Sequence, residues 1–406
     1  FKDEKQNMDL IMKIVKDMCN VITLTGKNIG EYCKIKSRKG EKCWLHKQRF
    51  IDVTLEETFV DNTEYESESE YESESEYESE PEYEKEIEKV GYLSRSVPEG
   101  INLKEAILAL KKEKNAIILA HYYVSEDIQS IADFVGDSLA LAQASKKASS
   151  DIIVFCGVHF MAETAKILNP NTKVILPDLN AGCSLADSAP EDDFRAFKNS
   201  YPDAVVVSYI NCSSEVKSMS DYICTSSNAI EVVNAIPKDK RIIFAPDKNL
   251  GLYVQKVTGR ELILWEGACV VHVNISVDKL DALVIKYPSA ELIAHPECLP
   301  EILDKAKFVG STKALLDYVQ KSPVEQFIVA TEAGILYQMK QAVTNKLIIP
   351  APALESNSCA CSECPYMKMN TLEKLYNALY YELPEIQVKE STQEGALKAL
   401  NNMLSI

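Results

Sequence analysis

Ala116–Tyr123 reads AIILAHYY. An unbroken apolar run that stops at His121, Tyr122 and Tyr123 is the pattern of a strand buried on both faces, with polar groups at its carboxyl end. The pattern returns at Ala204–Asn211 (AVVVSYIN) and at Glu291–Glu297 (ELIAHPE). Its strand ends, His121, Tyr209 and His295, lie 88 and 86 residues apart. Further apolar runs separated by helical stretches fill each interval. They are Asp151–Phe155 and Val174–Leu176, then Arg241–Ala245 and Leu262–Trp265, then Lys307–Gly310, Phe327–Ala330 and Lys346–Ile349. The last strand of each unit leads into a loop bearing a cysteine: Cys183 in NAGCSLAD, Cys269 in WEGACVVH and Cys364 in NSCACSECPYMKMN. In parallel α/β units ligands bind beyond the carboxyl ends of the strands. The expected fold is therefore α/β, with three similar parallel-sheet αβα domains in pseudo-threefold arrangement around a shared site. The boundaries read as 93–190, 191–277 and 278–406, the last including the cysteine loop and C-terminal helices.

One cysteine per repeat supplies three thiolates, and Cys364-Pro365 is a step common where a thiolate ligates iron and sulfide. A four-iron cluster held by Cys183, Cys269 and Cys364 leaves one iron open, and an open iron acts as a Lewis acid suited to removing water. The competing reading is that Cys183 and Cys269 are buried apolar residues. Gly182 and Gly267 place both in loops, which weakens it. Zinc on Cys359, Cys361 and Cys364 is cramped by the Cys-x-Cys spacing. Cys19, Cys156, Cys212, Cys224 and Cys298 receive no role.

His121 and His295 occupy equivalent repeat positions, which favours function over a satisfied core histidine. Tyr123 and Glu297 beside them are proton-transfer candidates. Gly136-Asp137-Ser138 reads as a break between two helices, leaving Ser138 and nearby amides for a carboxylate. Thr225-Ser226-Ser227-Asn228 and Gly310-Ser311-Thr312 are hydroxyl-rich loops before helical stretches, the build of a phosphate site. Ser and Thr caps are ordinary, so each is weak alone.

The net charge of −17 misleads, because residues 61–88 hold fourteen acids and one lysine. The remainder has no basic stripe for nucleic acid, and no apolar run of membrane-spanning length occurs. Residues 1–60 read as a basic region of unknown role, with a short amphipathic helix over Asp9–Val21. Cys33, Cys43 and His46 fit no zinc pattern. Residues 61–92, with their Tyr-Glu-Ser-Glu repeat, read as a disordered acidic linker. No secretory signal is visible, so the expected location is cytoplasmic, with an organelle left open.

Twelve segments carry a resemblance. They are Ala120–Tyr123, Ile131–Ser138, Val154–Glu163, Asp178–Ala186, Tyr209–Cys212, Thr225–Asn228, Ala245–Gly251, Trp265–His272, Ala294–Cys298, Gly310–Thr312, Thr331–Gly334 and Cys364–Leu372. In this order, over about Val97 to Leu379, the sequence resembles quinolinate synthase, an iron–sulfur enzyme family of NAD biosynthesis. The resemblance implies one 4Fe-4S cluster per chain on Cys183, Cys269 and Cys364. It implies condensation of iminoaspartate with dihydroxyacetone phosphate to quinolinate, phosphate and water. Substrate-binding or acid–base roles are implied for His121, Tyr123, Ser138, Tyr209, Asn211, Ser226, His295, Glu297, Ser311 and Thr312. Among these, Tyr123, Tyr209, His295 and Glu297 are the catalytic candidates. L-aspartate oxidase, as iminoaspartate supplier, and the iron–sulfur assembly machinery are the implied partners. Many family members carry Cys-x-x-Cys-x-x-Cys before the proline. Here Cys359-Ala-Cys361-Ser-Glu-Cys364 keeps Cys364 but strains any pairing of Cys359 with Cys361. Residues 1–90 match nothing in the family and read as an extension. The alternatives are another iron–sulfur hydro-lyase and a non-catalytic metal-binding interaction protein.

Overall fold

The structure, a computed structural model, describes residues 80–354 and 362–406. The expectations for residues 1–60, for most of the linker, and for Cys359 and Cys361 lie outside these residues. Within them stand three four-stranded sheets, all parallel. The first has the order β2-β1-β3-β4, with β1 Ala116–His121, β2 Phe134–Gly136, β3 Ile152–Cys156 and β4 Lys173–Ile175. The second, β6-β5-β7-β8, uses β5 Val205–Tyr209, β6 Tyr222–Cys224, β7 Ile242–Ala245 and β8 Ile263–Leu264. The third, β10-β9-β11-β12, uses β9 Glu291–Ala294, β10 Phe308–Val309, β11 Gln326–Ala330 and β12 Leu347–Pro350. The strand order is the same each time, so the expected threefold repeat is present as three α/β units.

Helices flank the strands and bury their apolar stripes on them. Leu103–Glu113 starts at the cap Asn102 and precedes β1; Ser138–Lys147 starts at the cap Asp137 and follows β2. The largest apolar cluster runs through the first two repeats, joining Phe155, Val207 and Phe244 with Leu400 and Met403 from the last helix. Separate clusters fill the third repeat.

Three expectations change. Gly136 ends a strand, not a helix, because β2 and its counterpart β6 are three-residue edge strands that the apolar pattern had not disclosed. The acidic linker does not extend to residue 92. Glu80–Val90 is a helix whose Tyr83, Ile87 and Val90 recur at helical spacing and are half-buried. Gly91, at φ 84°, terminates it. Tyr83 meets the Tyr381 ring at 5.2 Å, and Glu86 pairs with Arg95 at 2.8 Å. Finally, the C-terminal helices do not stay with the third repeat. Leu372–Tyr381 docks on the first, through Lys374 to Asp178 and Asn377 to the Leu93 and Arg95 carbonyls. Glu390–Leu404 docks on the second, through Asn402 to the Asp221 carbonyl and the close approach of Gly395 to Ser218. Among the described residues no helix is long and apolar enough to cross a membrane.

Candidate active site at the meeting of the three repeats

The three units touch through side chains at the carboxyl ends of their strands. Tyr123, just past β1, places its hydroxyl 2.9 Å from Thr312 Oγ1 and 3.1 Å from Thr331 Oγ1, both in the third repeat. His295, just past β9, sets Nε2 3.1 Å from Ser226 Oγ in the second. Ser227 donates to Asp137 of the first at 2.9 Å. Tyr209, the end of β5, donates to Glu297 Oε1 of the third at 2.5 Å. Thus His295, Glu297, Tyr123, Tyr209, Ser226 and Thr312 make contacts that join the three repeats.

Main-chain groups fix two imidazole tautomers. Tyr123 N–H points at His121 Nδ1 (3.2 Å) and Glu297 N–H at His295 Nδ1 (3.4 Å). Each ring therefore carries its proton on Nε2 and is a donor there. Burial, with the neighbouring His295, lowers His121 to about 3. Burial lowers His295 to about 3, against the opposing pull of Glu297. Both are neutral imidazoles at pH 7. Burial pushes the Glu297 carboxyl up, but His272, His295 and the Tyr209 hydroxyl outweigh it and hold the group below the usual carboxylate range. Burial and Glu297 push the Tyr209 phenol up, and burial does the same to Tyr123 despite its two threonine partners.

His272 was not singled out in the sequence reading, yet it completes the site. Its Nδ1 lies 2.9 Å from Glu297 Oε2, its Nε2 lies 3.0 Å from Thr331 Oγ1, and its ring stacks on His295 at 4.8 Å. The available signal was its place three residues after Cys269, one helical turn on. Asp247, Thr331 and Glu332, all fully buried, were missed as well. Burial pushes Glu332 up to about 8, opposed by Lys368 and the Cys364 and Gly334 amides. Asn211 is half-buried just past β5, and its Oδ1 has no hydrogen-bond partner. Ser311 caps the helix Thr312–Lys321, and Ser138 opens the helix Ser138–Lys147 without a described contact to the other repeats.

The three cysteines also converge. Cys364 lies within electrostatic reach of Cys183, and both lie within reach of Cys269. Each stands just before a tight turn whose amides point at its sulfur: Ala186 and Leu185 for Cys183, His272 for Cys269, Met367 and Tyr366 for Cys364. Burial raises all three thiols in the absence of a cation. Three thiols within electrostatic reach of one another, each with amide dipoles on its sulfur, fit a thiolate-ligated metal centre. Cys269, His272 and Glu297 also group their ligand atoms within 4.8 Å of one another.

Neutral imidazoles, a held carboxylate and converging thiols at the strand ends of a triplicated parallel sheet define an enzyme centre, not a binding face. Residues 105–405 match the protein family described as NadA: Quinolinate synthetase A protein. The chain belongs to this family. It is 58% identical over 311 residues to the quinolinate synthase of Trichodesmium erythraeum, covering 77% of this chain and 95% of that one. It is 58% identical over 306 residues to that of Trichormus variabilis (75% and 94%), and 55% identical over 305 to that of a Synechococcus strain (75% and 95%). The reading as a non-catalytic interaction protein is thereby set aside.

Proposed function

We propose that the chain condenses iminoaspartate with dihydroxyacetone phosphate to give quinolinate, phosphate and water. The supporting observation is that hydroxyls at helix starts, an acid–base set and three thiols meet at one junction of the repeats. Ser226, Ser311 and Thr312 hold the phosphate, where first-turn amides and the helix dipole favour an anion. His121, donating from Nε2, and Ser138 hold a substrate carboxylate, and Asn211 offers its unpartnered Oδ1 to the substrate's donor groups. Elimination of water needs a base at carbon and an acid at the leaving oxygen. Glu297, kept ionised by His272 and Tyr209, is the base, and His295 aligns it from beside. Tyr123, whose burial keeps the phenol protonated, is the acid. A 4Fe-4S cluster on Cys183, Cys269 and Cys364 supplies, when bound, a Lewis-acidic open iron. The hydroxyl set argues against another iron–sulfur hydro-lyase, whose substrate would need no phosphate clamp.

The test is anaerobic purification of the wild type and Cys364→Ser, with iron and sulfide counts and a quinolinate assay. About four irons per wild-type chain, lost in the variant together with quinolinate formation, is the expected result. A folded wild type that stays iron-free after reconstitution, or an iron-loaded one that makes no quinolinate, overturns the reading.

A further inference from the structure

Each repeat closes its cysteine loop with the same main-chain hydrogen bond. His159 N–H donates to Ala181 O at 2.6 Å, Lys248 N–H to Gly267 O at 2.8 Å, and Ala333 N–H to Ser362 O at 2.9 Å. In every case the donor stands three residues past the end of the third strand, after Cys156, Ala245 and Ala330. The acceptor stands two residues before the cysteine. This register makes Val158, Asp247 and Glu332, the residues preceding the donors, structurally equivalent.

Their chemistry differs. Glu332 is fully buried, and its Oε1 accepts the Cys364 N–H at 2.9 Å while Oε2 accepts the Gly334 N–H at 2.7 Å. Asp247 is fully buried; its Oδ1 accepts the Leu250 N–H at 2.7 Å, and its Oδ2 is buried without a hydrogen-bond partner. Val158, buried in the first repeat, has no acceptor to offer. A cysteine's sulfur direction depends on its backbone torsions as well as on χ1, and tying its N–H narrows the backbone part of that freedom.

We propose that Glu332, and Asp247 by equivalence, are positioning residues that fix the Cys364 and Cys269 turns before any metal arrives. The Cys183 turn is left to the main-chain clasp alone. The role toward a cluster rests on the function proposed above; the tethering of the Cys364 amide does not.

Hydrogen exchange followed by mass spectrometry on metal-free protein tests the tether. Wild type is compared with Glu332→Ala, Glu332→Gln and Asp247→Asn, and chelator-driven iron loss is measured on the same proteins after anaerobic reconstitution. Removing both acceptors in Glu332→Ala should speed exchange of the Cys364 amide about tenfold or more, the equivalent of one lost buried hydrogen bond. Glu332→Gln, which keeps one acceptor, should fall between and carries the test if the alanine variant does not fold. Asp247→Asn should act at Cys269 and leave Cys364 unchanged. Iron should leave both Glu332 variants faster than wild type. Unaltered Cys364 exchange, or a uniform rise at all three cysteine turns, overturns the tether. Site-specific exchange with unaltered iron loss overturns its role toward the metal. A wild type that takes up no iron sinks the cluster reading instead, and the amide pattern still decides the tether.

Discussion

Glu297 receives Tyr209 on one oxygen and faces His272 on the other, so the charge and direction of this third-repeat carboxylate are set by two residues of the second repeat. Tyr209→Phe removes one of these while leaving the packing surface. We expect kcat to fall about 100-fold or more with iron content unchanged, in a steady-state assay with parallel metal analysis. Equal loss of iron and activity would assign Tyr209 to structure. His121 and His295 give a second prediction. Both are lowered from 6.5 to about 3 in the folded protein. Between those values the unfolded chain takes up protons that the native chain refuses, so stability is full above pH 6.5 and falls as the pH drops toward 3. Each imidazole contributes up to ~1.4 kcal/mol per pH unit in that window. Urea titrations from pH 7 to pH 5 should show the loss, and His121→Asn should flatten it by about one proton. An unchanged slope would mean that His121 is protonated in the fold. These residues were legible because each ends an apolar run. His272 was not, because it follows a weak two-residue strand and lies inside a one-turn helix, Val270–Val273, where no periodicity marks a site.

At the scale of elements, the long buried strands announced themselves through Ile, Val and Leu in unbroken series. The edge strands β2 and β6 did not. Each has three residues and one partner, so half-exposed positions such as Phe134 and Tyr222 break the apolar run. Two helix starts were readable from Gly136-Asp137-Ser138 and Gly310-Ser311-Thr312, where Asp137 and Ser311 serve as caps. What no pattern in the chain foretells is how closely elements of different repeats approach. A side chain on Gly334 would sit 2.7 Å from the Tyr123 Cα and 2.8 Å from the Tyr122 carbonyl. Gly334→Ala should therefore push the loop after β1 away from Thr312 and Thr331. Kinetics should show kcat lowered about 100-fold, as for a shift of order 1 Å, with little change in unfolding midpoint. A variant of wild-type rate would show that Tyr123 acts without its threonine partners.

For the whole molecule, the family match begins at residue 105 and the described fold at Glu80. Removing residues 1–79 should leave kcat and iron content as they are, measured on the shortened chain beside the full one; loss of activity would give that region a part in the reaction. The C-terminal helix is different. Leu400 and Met403 are buried in the core shared by the first two repeats, so Leu400→Ala should cost about 2–5 kcal/mol in denaturant unfolding. The segment before that helix also lies along β4. Ile386 N–H donates to the Val174 carbonyl at 2.8 Å, and Leu176 N–H to the Pro384 carbonyl at 3.2 Å. The outer edge of the first sheet is thus covered by residues made some two hundred positions later. During synthesis that sheet emerges early and waits, its edge open to pairing with other nascent chains. Emergence of residues 384–386 from the ribosome, not completion of the first repeat, is the moment at which this edge can be closed.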